Sequence, residues 1–169
     1  VNSDYDPIDL TDIPADYMPR VKYSQSCTDA EYESRMQKMA ELNQENGAAS
    51  RFDAVYRLCC RGMVPLTGER TLQASCVHPG VAWVHAIAGY GVHPERYALL
   101  ALMSGLEAAL PYDFFIRSIG KMNINATTLS LQPVPETNLA PEIRLRGLLL
   151  NCLTKSYADL WQSCWEESY

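Results

Sequence analysis

Residues 93–110, HPERYALLALMSGLEAAL, leave little choice of secondary structure. Pro94 falls in a first helical turn, where its missing N–H costs nothing, and Glu95 sits near the positive end of the helix dipole. Leu99, Leu102, Met103 and Leu106 recur at helical spacing, and Gly105 within the run marks close packing against a neighbour. Pro111 interrupts the pattern, and YDFFIRSIG, residues 112–120, reads as a second helix broken from the first.

The segments around this pair are of mixed kind. Residues 1–26 carry repeated proline breaks (YDPIDL, DIPADYMPR) and read as an extended entry segment. In the run from Thr28 to Gly47, Thr28 can cap, Glu31 follows three residues later and the stretch closes on glycine, which predicts a surface helix with a capping box. Phe52, Val55, Tyr56, Leu58 and Cys60 fit a strand entering the core, with Arg57 and Arg61 on its outer face. Residues 71–77 (TLQASCV) and 81–92 (VAWVHAIAGYGV) read as two further strands bounded by Gly and Pro. Residues 126–135 (ATTLSLQPVP) read as another, with Thr128, Ser130 and Gln132 alternating against Leu129 and Leu131. The tail from Thr137 to Ser168 predicts a long helix or helix pair with Pro141 near its start. Strands and helices do not alternate as βαβ units. The expected fold is therefore α/β of the α+β type: a small mixed sheet packed by helices, with a long C-terminal helix. The domain division expected is residues 1–50 as acidic entry segment plus surface helix, and 51–169 as a single α/β domain.

Charge bears on partners. The net charge is −6. It is uneven: residues 1–50 hold ten acids against four bases, 51–121 five against seven, and 122–169 five against three. The middle is mildly basic and rich in arginine, while a solvated surface of mixed charge explains composition alone. No apolar run approaches the roughly 20 residues of a membrane helix, and the acidic stretch VNSDYDPIDL has no signal-peptide character, so no membrane partner and a cytoplasmic location are expected. The six cysteines form no C-x-x-C pair and several lie in apolar stretches (YRLCCRGM, LLLNCLTK), as reduced buried thiols do.

Enzyme signatures are wanting. His78, His85 and His93 lack the i, i+3 or i, i+4 spacing of metal ligands on a helix. Cys76 and His78 share a strand face, but a nucleophilic thiol needs exposure and a basic partner. IAGYGV holds only G-x-G, and no nucleophile elbow or P-loop occurs. One constellation stands apart. Arg70 follows Gly68 and Glu69 at the mouth of a strand. Gly120 and Lys121, with Asn123 and Asn125 after them and Arg117 nearby, make a loop that is poor core material. Arginine and lysine suit guanine acceptors or phosphate, asparagine can bridge adenine, and glycine lets backbone approach a ligand. A polar hairpin turn accounts for the same residues without DNA.

Taken in order, RFDAVYRLCCRGMVPLTGERTLQASCVHPGVAWVHAI and ALLALMSGLEAALPYDFFIRSIGKMNINATTLSLQPVP resemble the C-terminal target recognition region of bacterial DNA adenine methyltransferases of restriction-modification and phage-defence systems. These are large proteins in which a methylase is fused to its own specificity domain. The tail LAPEIRLRGLLLNCLTKSYADLW is similar to that family's ending, and coverage runs from about residue 51 to 162. The resemblance implies double-stranded DNA as partner, with Glu69, Arg70, Gly120 and Lys121 on the family pattern and Arg117 nearby; Asn123 and Asn125 rest on chemistry alone. Arg70 has a second reading, as a structural residue pairing with Glu69 or a helix end. The family's catalytic Asn/Asp-Pro-Pro-Tyr/Phe, which holds a flipped adenine amine, and its glycine-rich S-adenosylmethionine strand are not in this sequence. The cofactor is thus expected on a separate catalytic lobe or subunit, which would also supply the backbone clamp that an acidic recognition lobe lacks. The alternative is a protein-interaction or assembly module of a defence complex, docking through its acidic N-terminal third and through Trp161, Trp165 and Tyr169.

Overall fold

The computed structural model describes residues 7–18, 24–43, 49–64 and 67–169. Its elements are α1 (Asp29–Arg35), β1 (Lys38–Asn43), β2 (Ala49–Arg51), β3 (Arg57–Arg61), β4 (Ala74–Val77), β5 (Ile87–Gly91), α2 (Tyr97–Glu107), α3 (Leu110–Ile119), α4 (Ala126–Leu129), α5 (Ala140–Asn151) and α6 (Ala158–Cys164). The fold is mixed α/β, with helices packed on a small sheet. That sheet has three strands in the order β4-β3-β5, and β1 and β2 form a separate hairpin. Every pairing is antiparallel.

The helix over residues 93–110 is the centre of the molecule. A single 3₁₀ turn at Pro94–Arg96 leads into α2, and the His93 ring accepts the Glu95 N–H. Leu100, Leu102, Met103 and Leu106 are all buried. One side of α2 lies on β3 and β4, where Leu58, Cys60 and Cys76 face it, and the opposite side carries α5 and α6. The crossing with α5 is made by two glycines. A Cβ on Gly105 would stand 2.4 Å from the Ile143 carbonyl oxygen, and one on Gly147 2.3 Å from that of Ala101. Backbone meets backbone there because neither residue has a side chain. Pro111 begins α3 rather than merely ending α2, at the position where a helix tolerates it.

Three expectations are corrected. The helix from Thr28 toward Gly47 ends at Arg35. Thr28 does cap it, accepting the Glu31 N–H at 3.3 Å. None of its seven residues is buried, so nothing apolar extends it, and the chain turns into β1 after Met36; Gly47 itself lies outside the described residues. Residues 126–135 form no strand. Asn125 caps α4 instead, and Thr128 and Leu129 are buried together while Leu131 is exposed. Arg57 is not on an outer face: it is 1% exposed. Its guanidinium lies over Trp83 (4.6 Å) and Phe52 (5.3 Å) and donates to the Val55, His78 and Val81 carbonyls. Arg61, on the same side of the strand, is exposed. The C-terminal region is a helix pair, α5 and α6, joined through Cys152–Tyr157.

The entry segment touches the main body. The Lys155 N–H donates to the Ala15 carbonyl at 2.7 Å. Arg51 grips Asp53 through two hydrogen bonds of 2.8 and 2.9 Å, Tyr32 donates to the same carboxylate, and Glu33 of α1 pairs with Arg51. Among the described residues no single helix is long and apolar enough to cross a membrane.

Candidate nucleic-acid interface

The GERTL segment runs alongside α3 and is stitched to it. Asp113, in the first turn of α3, accepts the backbone N–H groups of both Thr71 and Leu72 at 2.7 Å. Burial alone would raise the pKa of this carboxyl. The two N–H groups, with Arg70 and Arg117 close by, outweigh burial and hold it below the usual carboxylate range.

Arg70 donates to the Ala108 carbonyl, which closes α2, at 2.9 Å, and its Nε stands 3.4 Å from Asp113 Oδ1. The guanidinium thus meets a helix end, and the carboxylate beside it is Asp113 rather than Glu69. Arg117, one turn along α3 from Asp113, donates to Thr71 Oγ1 at 2.9 Å and to the Gly68 carbonyl at 2.8 Å. Both guanidinium groups are therefore committed to the joint between α3 and residues 68–72.

Gly120 ends α3 in the left-handed conformation, φ 69°, with its N–H on the Arg117 carbonyl. Nothing lies within 4 Å of where its Cβ would be, so its φ, and not a close approach, calls for glycine. The chain then runs beside Gly62–Val64: the Val64 N–H donates to Met122 O at 3.1 Å, the Ile124 N–H donates to Gly62 O at 2.7 Å, and Asn123 bridges Met63. Ile124 is 4% exposed and anchors the segment. Lys121 and Asn123 are exposed, and neither side chain makes a hydrogen bond or ion pair among the described residues. Asn125 is occupied: its Oδ1 accepts the Thr128 N–H at 3.0 Å and the Thr128 hydroxyl at 3.1 Å.

The six candidate residues thus divide by task. Arg70 and Arg117 bond the joint between α3 and residues 68–72, Gly120 ends α3 and Asn125 caps α4, whereas Lys121 and Asn123 stand exposed on the loop. Arg70 stands at the head of α3 and Lys121 just past its tail, about 12 Å along the axis from Asp113, on one continuous helix-and-loop unit. Exposed apolar residues at the loop and along α3 were missed in sequence. Met63 and Met122 are 60% and 72% exposed at the loop itself, and Leu110 and Phe114, one turn apart on α3, are 70% and 69% exposed. Their i, i+4 spacing was legible; that they face outward was not, because α3 is apolar on both sides.

The remaining segments of the resemblance are joints as well. Asn151 and Tyr157, from LLLNCLTKSYADLW, take both backbone groups of Cys76. Tyr112 donates to the Pro133 carbonyl. Five of the thiols are the reverse of activated. Burial pushes Cys76, Cys60 and Cys152 up to about 12, and Cys59 and Cys164 to about 11. His78 contacts the Pro79 carbonyl and the edge of Tyr157, so the pair Cys76 and His78 shares no reacting geometry. Among the described residues no group of three His, Cys, Asp or Glu is placed to hold a metal ion. No family model, curated protein or solved structure matches this chain.

Proposed function

We propose that this chain is the DNA target recognition part of an N6-adenine DNA methyltransferase or restriction-modification protein, working beside a catalytic lobe that carries the S-adenosylmethionine site. The observation that carries the reading is the loop after α3. Its backbone is bonded to Gly62 and Val64 and pinned by buried Ile124, while Lys121 and Asn123 stand exposed on it. A rigid loop offering one ammonium and one amide can meet a phosphate or a guanine edge with the first and an adenine edge with the second. The family-like segments around the loop support the same reading: their side chains bond the scaffold together and leave Lys121, Met122 and Asn123 exposed on it. The net charge of −6 and the commitment of Arg70 and Arg117 to internal bonds leave little charge for phosphate contacts, so weak binding by the chain alone is expected.

The test is methylation or restriction by the assembled system carrying Lys121→Glu or Asn123→Ala. The expected result is an altered or lost target site, read by sequencing of modified DNA, with the domain still folded. An unchanged site pattern in both variants removes the loop from recognition.

A second reading, an assembly module of a defence complex, is favoured by the exposed apolar residues. Besides Leu110 and Phe114, α5 and its exit expose Leu149, Leu150 and Leu153 at 56%, 60% and 52%. Apolar side chains in such groups mark docking surfaces. Co-elution with neighbouring gene products that is lost on Leu150→Glu, together with unchanged target choice on Lys121→Glu, would select this reading over the first.

A further inference from the structure

A cavity of about 330 Å³ opens between β5, α2 and α4 and is lined by Tyr90, Val92, Leu99, Met103, Leu129 and Gln132, among others. Its walls are almost wholly apolar, and among the described residues no lysine, arginine or histidine lines it. Gln132 departs from this character. It is 8% exposed, and neither its amide nitrogen nor its oxygen has a hydrogen-bond partner among the described residues. Buried amides without partners are rare enough that each calls for a reason.

The neighbours of Gln132 do not supply one. One oxygen of the Glu107 carboxyl accepts the Tyr90 hydroxyl at 3.0 Å. The Gln132 amide bears on the acidity of that carboxyl without meeting it in hydrogen-bond geometry. Ser130, at the mouth, donates to the Thr127 carbonyl and keeps its own oxygen as an acceptor. What the site lacks is a donor and an acceptor side by side, carried by something apolar.

We infer that this cavity is a binding site for a small, flat, uncharged molecule whose edge bears adjacent N–H and C=O groups, a lactam or a cyclic amide of nucleobase kind, paired with the Gln132 side chain. The volume sits at the small end of ligand sites, which suits a fused bicycle and not a nucleotide. The uncharged lining gives a phosphate or carboxylate no counter-charge. The terminal torsion of glutamine is broad, so the amide, sealed from water in the present arrangement, can turn to present both atoms to the ligand edge. The inference does not rest on the DNA reading, since neither Lys121 nor Asn123 lines the cavity.

Quinolin-2(1H)-one and its N-methyl derivative are suitable probes, because they share a ring system and differ in the donor. Titration of the whole chain by calorimetry or heteronuclear NMR is expected to show binding of the lactam at least tenfold tighter than that of the N-methyl compound, with shifts at Met103 and Leu129. Gln132→Leu should abolish the difference while both compounds still enter. Ala126→Trp, which fills the cavity, should abolish both. Absence of binding by the lactam, equal binding of the two compounds, or a preference that survives Gln132→Leu would each overturn the inference. Where a variant does not fold, the comparison of the two compounds on the native chain decides alone.

Discussion

Asn151, at the last turn of α5, accepts the backbone N–H of Cys76 in β4 at 2.7 Å. β4 is an edge of the three-stranded sheet, and Cys76 would otherwise offer an unpaired N–H and C=O along that edge. The Tyr157 hydroxyl takes the carbonyl at 3.0 Å, and Asn151 Nδ2 closes its own helix on Gly147 O at 2.8 Å. Two side chains thus do the work of a fourth strand. Asn151→Leu strands the Cys76 N–H and is expected to cost about 1–3 kcal/mol, whereas Tyr157→Phe should cost about 1 kcal/mol. Urea unfolding is the check: the midpoint falls in both and the slope stays constant.

The glycine crossing of α2 and α5 makes a prediction of opposite intuition. Gly147→Ala improves helix propensity by up to about 1 kcal/mol. The added methyl, however, lands 2.3 Å from the Ala101 carbonyl oxygen and 2.5 Å from Ser104 Oγ. Backbone cannot swing aside as a flexible side chain does, so the helices must part, and overpacking of this kind costs about 1–3 kcal/mol. Thermal unfolding of the alanine variant should therefore occur lower than in the native chain. A higher melting temperature would mean that the crossing is looser than described.

How much of this was legible follows from where the information lies. The α2 and α3 helices were written in local spacing, with Pro94 and Pro111 as punctuation, and Gly105 signalled a close approach whose partner, Gly147, was not predictable from spacing. Local pattern failed where a polar side chain or a tertiary partner decided the outcome. The alternation of Thr128 to Gln132 yields to the Asn125 cap, which satisfies a helical N–H directly. Charge alone places Arg57 outward, yet Phe52, Trp83, the nearby Val55 carbonyl and the distant His78 and Val81 carbonyls enclose it. At the candidate interface the residue types were legible and their tasks were not: Arg70 and Arg117 find their partners 38 to 49 residues away in sequence.

That division of tasks is open to a direct comparison. Arg117→Ala removes hydrogen bonds to Thr71 Oγ1 and Gly68 O, and bonds to a charged donor are worth about 1.5–3 kcal/mol. Discounting for the half-buried position, a loss of about 1–2 kcal/mol is expected. Lys121→Ala touches no partner among the described residues and should leave stability within about 0.5 kcal/mol. Denaturant midpoints measured side by side give the answer. A large loss at Lys121 would place it among the joints and not on the presented surface.

Glu107 makes stability depend on pH in a direction that is unusual for a carboxylate. It is 1% exposed. Burial pushes its carboxyl up to about 7, against the opposing pull of the Tyr90 hydroxyl and the Gln132 amide. The folded chain thus holds this proton more tightly than the unfolded chain, whose carboxyl ionises near 4.5. The protonated group contributes its full stabilisation below the unfolded value, and the contribution is lost as pH rises from about 4.5 to about 7. The change is on the order of 3 kcal/mol at one pKa unit per 1.36 kcal/mol. Asp113 and Asp53 act in the opposite sense at lower pH. Their folded-state carboxyls lie below 3.8, so their contribution is present above that value and lost as pH falls further. Unfolding free energy should therefore decline between pH 5 and 7, and Glu107→Gln should flatten that decline while leaving the acid limb in place. If the glutamine variant keeps the same slope between pH 5 and 7, the proton concerned is not on Glu107.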